Sequence, residues 1–124
     1  MGNGSMADNY LTEKYLTILG KLGPAQSLVF IDKLMIDLKN TRRGFHAALS
    51  AKAFDLLNEP SNVLISLADV VGINDLYEAA KNINEYTKMD EEDFPSEAVK
   101  RILAQLDNWL DFLKSDKIQR ERAS

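Results

Sequence analysis

Apolar residues along this chain recur three and four positions apart rather than in the two-residue alternation of a half-buried strand. That spacing predicts five helices. The first, over residues 8–20, carries Tyr10, Leu11, Tyr15, Leu16 and Leu19 and should stop at Gly20 and Gly23-Pro24. The second, over 25–50, places Ile31, Leu34, Met35, Leu38, Phe45 and Leu49 on one stripe. The third runs from Pro60, a residue suited to a first turn, to Val71, with Gly72 as its stop. The fourth, over 74–87, aligns Leu76, Ala79, Ala80 and Ile83 behind Asn74 or Asp75 as a cap. An acidic connector, Met89-Asp-Glu-Glu-Asp-Phe94, leads to the fifth, over 95–115. Its stripe is Val99, Ile102, Leu106, Trp109, Leu110 and Leu113, with Pro95 in the first turn behind an Asp93 cap.

Each long segment is amphipathic and none is apolar all round, so the stripes must be buried against one another. Short connections make neighbours antiparallel. The expected fold is all-α, an up-and-down four-helix bundle with a short leading N-terminal helix. Met1-Gly-Asn-Gly-Ser5 reads as a vector-derived leader ahead of a start at Met6. Residues 6–115 form the expected bundle, and 116–124, with one large apolar side chain, read as a polar, solvated tail.

Composition narrows the function classes. With 124 residues, 45% of them hydrophobic, the chain suits one domain with a sizeable core. The absence of cysteine excludes disulfides, thiolate metal sites and thiol nucleophiles. A formal net charge of −4 argues against a nucleic-acid partner, which needs a concentrated basic face. No apolar run reaches the roughly 20 residues of a membrane span, and no signal peptide is visible, so the expected setting is cytoplasmic.

Candidate chemistry is sparse. His46 is the one histidine and has no Ser, Asp or Glu at a spacing that makes a hydrolytic constellation. It lies ~80° from the centre of its helix's apolar stripe and reads as a boundary residue half-covered by neighbours. Asp90-Glu91-Glu92-Asp93 lacks the glycine-centred loop of a calcium site and reads as a solvated connector. Glu97 and Asp107 lack the Glu-x-x-His spacing of di-iron bundles. Arg42-Arg43 are two basic residues and not a patch; the Arg42 stem should cover the core edge. Neither a metal nor a cofactor is expected, and no enzyme active site is visible.

One segment carries more. Ser61-Asn-Val-Leu-Ile-Ser-Leu-Ala-Asp-Val-Val-Gly72 resembles the third-helix signature of histidine-containing phosphotransfer (HPt) domains, His-x-Leu-Lys-Gly/Ser-x-Ala with a Gly ten residues after the His. Leu64, Ser66, Ala68 and Gly72 stand at the matching offsets from position 62. Leu49-Ser-Ala-Lys-Ala-Phe54 resembles the family's preceding connector, and Phe30-Ile-Asp-Lys-Leu-Met-Ile-Asp-Leu38 its helix after a Leu-Gly-Gly-type turn, here Leu22-Gly23-Pro24. Asn74-Asp-Leu-Tyr-Glu-Ala-Ala80 corresponds to the helix behind the active one. The resemblance spans residues 8–114 without a gap.

Two departures set the function that this resemblance implies. Asn62 stands at the phospho-histidine position, and Ile65 where the family has a lysine. An amide nitrogen delocalises its lone pair into the carbonyl and is no nucleophile at neutral pH. Ile65 brings no ammonium for phosphoryl oxygens. The resemblance therefore implies a pseudo-phosphotransfer protein of a two-component system, one that binds a response-regulator receiver domain without carrying phosphate. On a helical wheel Asn58, Ile65, Ser66 and Asp69 fall within ~60° of Asn62, opposite Leu64, Leu67 and Val71, and form the expected docking face of a monomer. Ser66 keeps the small side chain that lets a receiver approach, and Ile65 offers apolar burial. The alternatives are a helical interaction adaptor outside any phosphorelay, or a phosphotransferase using another residue, such as His46.

The first expectation is testable directly. Circular dichroism should show a helical spectrum unchanged by chelator; a strand-dominated spectrum, or unfolding by chelator, would contradict the pattern.

Overall fold

The computed structural model describes residues 9–87 and 93–123. Within them the protein is all-helical, and five helices pack together: α1 (Glu13–Leu22), α2 (Pro24–Ala51), α3 (Asn58–Val71), α4 (Asn74–Tyr86) and α5 (Ser96–Ala123), with a 3-10 turn at Phe54–Leu57 before α3. The central α2 packs on α1, α3 and α5, while α4 packs on α3 and α5. Ion pairs fix the α2–α5 direction: Lys117 meets Asp32 at 2.6 Å and Arg42 meets Asp107 at 2.7 Å, so the two run antiparallel. Arg42 is half-buried on α2, with its guanidinium on that carboxylate.

The core is built from the predicted stripes. Ile31, Leu34, Leu38 and Phe45 of α2 meet Leu64, Ala68 and Val71 of α3, Leu76, Ala80 and Ile83 of α4, and the whole α5 stripe through Leu113. Trp109 is almost fully buried and stacks on Tyr10, with ring centroids 6.4 Å apart. Leu11 and Leu16, counted with the first stripe, are exposed. Leu11 precedes α1, and Leu16 lies on the outer side of that helix, whose buried residues are Tyr15 and Leu19 alone.

Several helix ends differ from the sequence reading. Gly20 is helical, and the stop falls at Gly23, whose φ of 82° is open to glycine without strain. The first helix begins at Glu13, capped by the Thr12 hydroxyl, which accepts the Tyr15 N–H at 3.0 Å and donates to the Val71 carbonyl. Pro60 does sit in the first turn of α3, and Gly72, at φ 74°, ends it. The Ile73 N–H then closes back on the Ala68 carbonyl at 2.9 Å. Because Ile73 occupies the cap of α4, neither Asn74 nor Asp75 does; Asp75 instead favours the dipole from the first turn. Pro95 precedes α5, which starts at Ser96, so Asp93 lies too far upstream to cap it. Asp90, Glu91 and Glu92 of the acidic connector lie outside the described residues.

The largest difference is at the end of α5, which stays helical to Ala123 instead of giving way at 115 to a solvated tail. Partners on distant elements hold it. The Tyr15 hydroxyl donates to the Asp116 carboxylate at 2.6 Å, and Arg120 Nε donates to the same carboxylate at 2.7 Å. Lys117 adds its ion pair with Asp32.

Burial, and then the Asp116 carboxylate, push the Tyr15 phenol well above its ordinary value of 10.0. The folded state thus holds this proton where the unfolded chain releases it. Stability from Tyr15 is full below about pH 10 and is lost as pH rises toward the folded value. Denaturant titrations at increasing alkalinity should show a shallower decline for Tyr15→Phe than for the native protein. At neutral pH the same variant should lose about 1 kcal/mol with its hydrogen bond.

Candidate functional site

The geometry of the Asn62 face follows from how α3 is rotated. Pro60, Ser61, Leu64, Ala68 and Val71 are its buried residues. Taking Leu64 as origin at 100° per residue, they span an arc from about −40° to +60°, and Asn62 and Ser66 stand at about 160° and −160°. With Glu59, at about −140°, these two side chains point most directly away from the core, and all three are exposed. Asn58 and Asp69 are exposed as well, on the flank toward α4.

Ile65 differs from expectation. It belongs to the same flank but stands at the edge of the buried arc, half-buried and packed against the core cluster. His46 also differs: it is exposed on α2, not half-covered.

A residue that sequence reasoning passed over organises the face. Asn84 of α4 is only 8% exposed. Its Nδ2 donates to Ser61 Oγ at 3.1 Å and to Asn62 Oδ1 at 3.1 Å, and lies 3.4 Å from Asn58 Oδ1. Asn62 Nδ2 in turn lies 3.4 Å from Asn58 Oδ1, and the Ser61 hydroxyl donates to the Asn58 carbonyl at 3.1 Å. The Asn62 side chain is therefore held by its carbonyl oxygen along the α4 flank. The signal was present in the sequence: Asn84 follows Ile83 and lies four residues after Ala80, a polar residue on an apolar stripe.

Chemically, this cluster offers amides, which hydrogen-bond but are not nucleophiles, and the Ser61 hydroxyl, whose partners are the Asn58 carbonyl and the Asn84 amide and not a general base. No group of three or more His, Asp or Glu that could hold a metal ion occurs among the described residues. None of their helices is long and apolar enough to cross a membrane. No protein-family model matches this sequence, and neither a curated protein nor a solved structure matches it.

The buried amide makes a test of its own. Asn84→Ala leaves Ser61, fully buried, without its donor and should cost about 1–3 kcal/mol in denaturant titration. Asn62→Ala, on the exposed side of the same contact, should stay within about 0.5 kcal/mol. Equal costs for both would mean that the cluster is held from its surface.

Proposed function

We propose that this protein is a pseudo-phosphotransfer protein of the HPt type, which docks a response-regulator receiver domain without carrying phosphate. The reading takes the five packed helices as a short leading helix on an up-and-down four-helix bundle of the HPt kind. The observation that carries it is the position of Asn62. The residue at the family's phospho-acceptor place lies in the second turn of α3, on its outward side, with small Ser66 one turn on. A receiver active site approaching from that side meets an amide already bonded to Asn84 at 3.1 Å. No imidazole nitrogen stands there to take the phosphoryl group. Competition for a receiver, without relay, is what such a face does.

In this reading Asn58, Asn62, Ser66 and Asp69 make the polar contacts, Ile65 mainly supports the helix from behind, and the end of α2 contributes at the edge. The protein acts as a binding module, without cofactor, in the compartment where receivers work.

A second reading has its own observation. Val29 and Ile36 on α2 and Val70 on α3 are each more than half exposed. Large aliphatics outside two helices at once suit a helical adaptor that binds partners unrelated to a phosphorelay.

One pair of proteins separates the two. Native protein and Ser66→Arg are titrated against the source organism's receiver domains, with thermal melts alongside. Ser66→Arg should lose about 30-fold in affinity, on the order of 2 kcal/mol, with an unchanged melt. Neither protein should take label from a phosphorylated receiver. Binding that ignores Ser66→Arg would place the docking face elsewhere, and no binding to any receiver would favour the adaptor. A label lost in His46→Gln would mark His46 as a true acceptor.

A further inference from the structure

A groove of about 580 Å3 lies on the opposite flank of α3 from Asn84, between α2 and the segment formed by the 3-10 turn and the first turns of α3. Its floor is a close helix crossing: a Cβ on Gly44 would stand 3.1 Å from the Pro60 Cβ, so glycine at 44 lets α2 and α3 approach. Leu56 and Val63 line it and remain 46% and 38% exposed. Its charges are uneven. Asp37 is paired with Lys33 at 3.4 Å, and Arg43 donates to the Asn40 side chain at 3.1 Å. Asp55 and Glu59, on the α3 side, have no ion pair among the described residues. The groove is thus apolar in its wall and acidic along one rim.

The end of α5 carries the opposite pattern. Lys114, Ile118 and Arg122 stand at i, i+4 and i+8, one row on one side of the helix, and all three are exposed. Ile118 is 47% exposed between the two cations. The neighbouring Lys117 and Arg120 are committed to Asp32 and Asp116. Lys114 and Arg122 have no ion pair among the described residues. An aliphatic side chain flanked by two long cations matches a groove of aliphatics with an acidic rim.

We infer that the α2–α3 groove receives the Lys114–Ile118–Arg122 row of a second copy of this chain, Ile118 entering beside Leu56 and Val63 while the cations meet Asp55 and Glu59. Groove and row lie on different helices of each copy, so both can be engaged at once, and in a two-fold dimer each copy gives its row and receives its partner's. Ion pairs at an open rim are screened, so the association weakens with salt. The inference names an occupant for exposed aliphatic surface of the kind behind the adaptor reading, but it rests on neither that reading nor receiver docking. Its failure leaves both as they stand.

Sedimentation velocity on the full chain, across two decades of concentration at low and high salt, is the test. Dimer should accumulate with concentration at low salt, and Ile118→Glu and Val63→Arg should each weaken it about tenfold or more. Ile118 is the safer site, because its outward position leaves the fold untouched; a thermal melt verifies this. Glu59→Lys and Arg122→Glu should each weaken self-association, and mixing them should restore it. In the mixed dimer the two introduced charges, opposite in sign, face each other at one site while the native pair meets at the other. A monomer at every concentration would overturn the inference. So would a dimer indifferent to Ile118→Glu and Val63→Arg, or a mixture no stronger than its components.

Discussion

Leu64, Ala68 and Val71 leave water only by packing α3 against α2 and α4, and that requirement fixes the rotation of the one helix that carries the candidate chemistry. Each buried Leu or Val side chain is worth on the order of 1.5–3 kcal/mol, well beyond what an exposed amide or hydroxyl can oppose. Once the arc is buried, Asn62 and Ser66 have no orientation but outward. The two flanks then acquire different characters from their neighbours. On the α4 side Asn84 reaches across and makes the edge polar and closed. On the α2 side Gly44 and Pro60 bring the backbones together, and Val63 is left standing over a groove. One helix thus presents three surfaces, each set by what lies beside it.

Much of this was legible in the sequence, because burial writes itself into three-and-four spacing. The buried residues of α2 through α5 are largely those that the stripes pick out, and Pro60 and Gly72 mark α3 as their backbone chemistry demands. What escaped has a common cause. Asp116 and Lys117 look like solvated tail residues until Tyr15 and Asp32 are placed beside them. Ile65 falls with Asn62 on a wheel, yet its burial depends on the neighbouring helix. Asn84 owes its burial to three side chains on α3, twenty-two to twenty-six positions away. Local pattern reports which side of a helix is apolar; it does not report which polar side chain a neighbour will satisfy.

The hydrogen bond from Tyr15 to Asp116 joins residues 101 positions apart. Closing a loop of that length carries nearly the largest chain-entropy cost this molecule can incur, and the contact brings only a short helix and the last turns of α5 together. The α3–α4 hairpin, by contrast, gathers its contacts over a short stretch of chain. Folding that proceeds from local to distant contacts assembles the hairpin early and docks α1 on the end of α5 late. Opening in the reverse order loosens the Tyr15–Asp116 contact first, with the α3–α4 hairpin still formed. The candidate docking surface is thereby built on the part of the chain least exposed to fraying from either end.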